Sequence, residues 1–467
     1  MRIPYWPNSS LSFVIFRSRI AILYKNTVVG YHGNLSANTP INGVVLFCAR
    51  LITMHRMAKK PIDDLIDAHV WMSRDREVTD EDLAASVTEF ATLEPMSGAW
   101  LDAMHALEVK LGAEAEFVGP PRQIRNANGA HHFSANFVAQ RMLQIARTAD
   151  GATAVAWFRK VRSINRGTGG AVKALYGVKC SERIALSHEV ALVPFLELPS
   201  STMRDYVQSQ YNNQAALGTY GFRGFILPPL AALYRAGTIE PLDANELEDY
   251  ATTEPATWFA ELDAAALLLA LIPKAIPLEA VHWVHYDDPD VAMLCQFGIS
   301  WKGSDFRPGI FEPPEITGQL VTGLLSSYRA LKKGDKDRVT LALHRIIRSR
   351  SQTHPGDRAI DLSIALEVLF MKTDSGEHSY KNSLRCARLV RTSLGDRRTI
   401  FAQVRKLYDM RSDMVHKGST DNVWTLNGVK VSARDLVESV DVVCTESIRR
   451  FLLLGSIPQE WRDIELG

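Results

Sequence analysis

The segment Arg411-Ser412-Asp413-Met414-Val415-His416-Lys417-Gly418 holds residue types that phosphodiester chemistry can use. A guanidinium offers a planar fork to phosphate oxygens, and an imidazole can exchange a proton near neutral pH. Together they could cleave RNA without a metal. The 2′-hydroxyl would attack the adjacent phosphorus, His416 would act as general base or acid, and Arg411 would stabilise charge building on the phosphoryl oxygens. DNA, lacking that hydroxyl, would resist. The spacing carries a condition: five residues apart on a straight α-helix, two side chains diverge by about 140°, so they share a face only where the helix ends. Gly418 supplies such an ending. An ordinary capped helix end is the other reading of the same residues.

The neighbours of this pair set what must position it. Arg411 extends an apolar stripe of Val404, Leu407 and Tyr408, so its guanidinium starts from the packed side of a helix and needs a partner or a cleft. Glu367 lies between Ile364 and Val368 on the apolar face of SIALEVLF, where an ionised carboxylate needs a base such as Arg411; an exposed helix carboxylate is the alternative. Residues 379–417 hold ten bases against three acids. Lys381, Arg385, Arg388, Arg398, Arg405 and Lys417 belong to that run, which could track a phosphate backbone or form a solvated helix surface.

Over the whole chain of 467 residues the charges nearly cancel, with 53 Lys+Arg, 52 Asp+Glu and a net charge of +1. Their distribution is uneven. Residues 1–62 carry 8 bases and no acid, 63–330 carry 21 bases against 34 acids, and 331–467 carry 24 against 18. An acidic middle and a basic end are suited to different partners, and only the basic end suits an anionic polymer. The acidic region could also dock on the basic one and mask it until a trigger arrives. The acid-free stretch 1–62 reads as a leader that is not native, with translation starting at Met54 or Met57; a targeting peptide and a docked extension are the rivals.

Other chemistries find little to stand on. The five cysteines, Cys48, Cys180, Cys295, Cys386 and Cys444, show no C-x-x-C or repeated spacing. They indicate neither zinc knuckle nor disulfide framework and fit a reducing compartment, most simply a cytoplasm. No apolar stretch approaches the ~20 residues of a membrane helix. His282, His285 and Asp287 could suggest a metal, but strand residues three apart face opposite sides. His131 and His132 sit in a Gly/Asn loop without a companion ligand. Phosphate-loop, dinucleotide and zinc-protease motifs are absent, so no cofactor and no metal are expected.

Periodicity divides the rest. Helical spacing fills much of 63–123, SANFVAQRMLQIARTAD, STMRDYVQSQY, FILPPLAALYRAG and WFAELDAAALLLALI. Strand-like alternation marks 181–198, AVHWVHYDD and AMLCQFGISW. The Pro- and Gly-rich FRPGIFEPPEITG is the expected boundary, giving an α+β sensor or regulatory region over 63–312. Beyond it, six helical patterns run to Gly455 over 313–467, with Ser432 before Asp435 as cap and Gly455 as stop. Their apolar stripes must bury one another, which predicts an all-α bundle.

DRAIDLSIALEVLF, followed about forty residues later by LYDMRSDMVHKG, resembles the HEPN superfamily, particularly its ApeA-like branch, over roughly 315–455. ERIALSHEVALVPFLELPSS resembles, more loosely, the region that often precedes that branch. The core motif R-x4-6-H is matched by Arg411 and His416. The resemblance implies a metal-independent ribonuclease bundle that dimerises so that two motifs face one cleft, in abortive-infection and antiphage toxin systems. Ser412 stands where the family often has Asn, with a hydroxyl donor in its place. Some members are inactive, so a non-catalytic module that binds RNA or protein and dimerises is the alternative; a third is a regulator whose activity lies in the acidic region.

Overall fold

Thr79 opens the first helix among the described residues, its hydroxyl accepting from the Asp82 amide at 3.2 Å while three acids occupy the first turn. The structure, a computed structural model, describes residues 11–16, 19–24, 27–29, 79–114, 117, 122–126, 129–217, 229–243, 254–295, 299–301, 312–371 and 376–466. Most of the expected leader, Met54 and Met57 included, and residues 63–78 lie outside these. Within 1–62 the backbone forms an antiparallel meander, β1 (Leu11–Phe16), β2 (Arg19–Tyr24) and β3 (Thr27–Val29).

Helices α1 (Asp80–Ala91) and α2 (Gly98–Leu111) precede a hairpin of β4 (Gln123–Asn126) and β5 (Gly129–His132). His131 and His132 therefore belong to a strand, where a loop was expected. Then come α3 (Ala135–Thr148) and α4 (Gly151–Val161). Leu83, Val87, Leu107, Met142 and Phe158 interlock these helices into one apolar cluster.

A six-stranded antiparallel sheet follows, in the order β12-β11-β6-β9-β8-β7. It comprises β6 (Gly167–Tyr176), β7 (Ile184–Ala185), β8 (Val190–Pro194), β9 (Ala231–Ile239), β11 (Leu278–Tyr286) and β12 (Ile299–Trp301), with α5 (Thr202–Leu217) between β8 and β9. Short β10 (Leu242–Asp243) instead pairs with β4. Two expectations are corrected. AALYRAG is a central strand, paired on both sides, although its Ala and Leu read as helix; burial between β6 and β8 overrides propensity. Among the described residues of AMLCQFGISW only Ile299–Trp301 is strand, and α7 (Pro289–Leu294) precedes it, started by Asp288 and Pro289.

Both faces of the sheet are buried. Ala171 and Leu175 face α6 (Glu254–Leu269), whereas Val172, Ala174, Val281 and Trp283 pack with Val207 of α5. Residues 314–316 are pinned to the same region, Ile316 donating its amide to the Lys179 carbonyl at 2.8 Å.

After the short α8 (Gly318–Val321) and α9 (Leu324–Ala330), a bundle is built from α10 (Lys333–Ser351), α11 (Pro355–Phe370), α12 (His378–Val390), α13 (Leu394–Lys417) and α14 (Ala433–Leu454), closed by α15 (Arg462–Leu466). The architecture is thus α+β followed by a helical region. Helix α11 is the central element, burying Ala359, Leu362, Leu366, Leu369 and Phe370 against its neighbours. Each such leucine or phenylalanine contributes roughly 1.5–3 kcal/mol by leaving water. Ser432 caps α14 and Gly455 ends it at φ 71°, as expected.

One apolar cluster crosses the expected boundary, joining Leu262 and Leu269 of α6 to Leu343 and Ile346 of α10. A polar contact seals the crossing. Arg350 donates to the carbonyls of Ala270, Ile272 and Ala275 at 2.7, 3.0 and 2.7 Å and grips Asp441 bidentately. No helix among the described residues is long and apolar enough to cross a membrane.

Candidate functional site

Helix α13 begins at Ser393, whose hydroxyl accepts from the Asp396 amide at 3.1 Å, and ends at Gly418, where φ is 70°. Ile400, Val404, Leu407, Tyr408 and Met410 bury one face of it. That face carries Arg411 out of the packed interior to the mouth of an open hollow of about 480 Å³.

Glu367 stands across from Arg411, projecting from the last turns of α11, and the two charges meet at 3.4 Å. Their side chains are 26% and 37% exposed respectively, so the pair belongs to the surface of a cleft rather than to the core. The carboxylate has found the partner that its apolar surroundings require. The Arg411 guanidinium also lies 5.9 Å from the centre of the Tyr408 ring. Tyr408 is held from below, accepting from Asn382 Nδ2 at 2.7 Å and donating to the Ser363 carbonyl at 3.5 Å. Burial, reinforced by the Glu367 charge, pushes its phenol well above the ordinary range, so it remains a neutral donor.

Ser412 and Arg405 line the same hollow, from one turn on either side of Tyr408. Arg405 is exposed. Ser379 and Asp409 complete the rim, together with His378, the first residue of α12. Sequence reasoning singled out none of these last three. An isolated histidine opening a helix gives no spacing signal, and only the turn through Gly376 and Glu377, both at positive φ, brings it here.

His416 is placed differently. It is exposed in the final turn of α13 and does not line the hollow. The helix stays regular through Lys417, so the ~140° divergence persists and one chain does not bring Arg411 and His416 onto one face. Lys417 is held by Asp413 at 2.7 Å.

The basic run divides as well. Arg385 is 5% exposed, which corrects its reading as a phosphate contact. It donates to the Phe370 carbonyl at 2.6 Å, pairs with Glu465 at 2.7 Å and lies over the Trp461 ring. With Arg338, which donates to the Val368 and Leu369 carbonyls, it closes the C-terminus of α11, the stretch that carries Glu367. Arg385 therefore positions the site from behind. Arg398 is exposed, and Lys381 and Arg388 are half-buried; none of the three lines the hollow.

The metal candidate separates as the strand period predicts. His282 bonds to Glu279 on the α6 side of β11, beside Lys173, whereas His285 faces the other way and bonds to Asp287 at 3.2 Å. Among the described residues no group of three His, Cys, Asp or Glu side chains is arranged to hold a metal ion. The four described cysteines are free and buried.

The hollow thus offers two guanidinium groups, three hydroxyls and an imidazole around an accessible space, with two carboxylates, of which Glu367 orients Arg411 and Asp409 is paired with Lys406. Such a set can grip a phosphate and move a proton. No family model matches the chain, and no curated protein and no solved structure matches it.

Proposed function

We propose that the C-terminal bundle is a HEPN-type endoribonuclease that cuts RNA without a metal and serves antiphage abortive infection. The carrying observation is Arg411 at the mouth of an open hollow, oriented by Glu367 through a single contact and flanked by Arg405 and Ser412. A guanidinium with donors to spare can take the phosphoryl oxygens in its fork. The 2′-hydroxyl then attacks phosphorus, leaving a 2′,3′-cyclic phosphate and a 5′-hydroxyl. His416 of a second copy, docked two-fold on the first, supplies an imidazole to the hollow.

A second reading, a bundle that binds RNA or a protein without cutting, is favoured by the position of His416 outside the hollow. One experiment separates the two. Wild type, Arg411→Ala and His416→Ala are incubated with end-labelled RNA in EDTA, and the new ends are mapped. The nuclease reading expects cyclic-phosphate ends from wild type, with cleavage falling by roughly 10²–10⁴-fold in each variant. RNA bound by wild type but left intact establishes the binding module instead.

A further inference from the structure

We infer that His378 is a further catalytic residue, the second proton-carrying group of the reaction, supplied by the same chain as Arg411. The inference rests on the nuclease reading above and deepens it. Cleavage by an internal hydroxyl needs two proton transfers, one off the 2′-oxygen and one onto the 5′-oxygen. The Arg411–His416 motif supplies one imidazole. The hollow in front of Arg411 is lined by a different one, His378.

Three features aim this histidine at a phosphate. Gly376 at φ 77° and Glu377 at φ 48° turn the chain so that α12 starts at the rim of the hollow, and His378 is its first residue. No side chain caps that helix start, so the first-turn amides retain donor capacity toward an anion. Arg405 and Arg411 line the same space. A phosphodiester drawn in by these groups meets the His378 ring on exposed surface.

The step balances without an outside reagent. One imidazole takes the 2′-hydroxyl proton as the 2′-O–P bond forms, and the other gives a proton to the 5′-oxygen as the P–O5′ bond breaks. No atom changes oxidation state, and exchange with water returns both rings to their starting forms.

The test uses the full chain. Cleavage of a short RNA in EDTA is followed against pH for wild type, Arg411→Ala and His378→Ala, with thermal unfolding as the folding control. His378 is exposed, so its replacement should leave the melting transition in place. The expected result is a bell-shaped kcat/KM profile for wild type, and for His378→Ala a loss of roughly 10²–10⁴-fold with one limb of the bell gone. A variant within a few-fold of wild type that keeps both limbs overturns the inference while leaving the nuclease reading intact. A wild type that does not cleave sinks the nuclease reading, and the second measurement then decides what the hollow holds. Uridine 3′-monophosphate is titrated into the ¹³C-histidine-labelled chain, the His378 signal being identified by its loss in His378→Ala. A shifted signal without cleavage leaves a phosphate-binding site and removes the catalytic role; an unmoved signal removes both.

Discussion

Two arginine–carboxylate pairs in the helical region are put to opposite uses. Arg350 and Asp441 are 4% and 8% exposed, meet through two short bonds, and Arg350 has three carbonyls as further acceptors. Arg411 and Glu367 are several times more exposed and touch once, at 3.4 Å. The first guanidinium has its donors committed and sits in a sealed interior, so it can hold structure together and do nothing else. The second retains donors that face an accessible space. Geometry around the guanidinium, more than residue type or local charge density, separates a structural cation from one that can meet a ligand.

The comparison breaks most visibly at Arg350. Replacing it with alanine strands the Asp441 charge and three carbonyls, and is expected to cost about 3–5 kcal/mol in urea unfolding. A loss below ~1 kcal/mol would mean that water reaches the pair and that the contrast is false.

A third carboxylate sharpens the scale. Burial opposes ionisation of Glu279, but the bond to His282 and the charge of Lys173 outweigh it and hold the carboxyl down at about 2. A carboxyl depressed in the folded state contributes stability that is complete above its unfolded range, near 4.3, and drains away as pH falls toward 2. Stability measured between pH 6 and 2 should therefore fall by about 3 kcal/mol through this group, and the fall should flatten in Glu279→Gln. An unchanged slope would remove Lys173 and His282 as its partners.

The smallest effect belongs to Arg411→Ala. Its exposed pair should contribute less than ~1 kcal/mol to stability, even though the proposed nuclease reading expects the same change to lower cleavage by roughly 10²–10⁴-fold. A melting loss comparable to that of Arg350→Ala would make Arg411 a second structural latch.

Arg411 and Glu367 were legible in the sequence because each interrupts an apolar stripe, and a charge at such a position announces a partner. The helices of the bundle were legible for the related reason that their stripes and caps agree, as at Ser432 and Gly455. What escaped depends on residues far apart. Arg350 and Asp441 are separated by 91 positions, and nothing local marks either. Strand β6 hides behind GTGG, and β9 reads as helix until its two neighbours are known. The hairpin of Val423–Leu426 and Val429–Ser432 was missed although Asn427-Gly428 announced it; both residues take the positive φ of a tight primed turn.

The Arg350 contact also sets an order of events during synthesis. The carbonyls of Ala270 and Ala275 leave the ribosome 80 and 75 residues ahead of the guanidinium that satisfies them. Until that guanidinium arrives, the carbonyls at the end of α6 lack their native donor, and an apolar flank lacks its cover. The acidic sheet region therefore completes its own packing only when the helical part is already emerging, and a nascent chain halted near residue 312 leaves these carbonyls and the apolar flank of α6 uncovered.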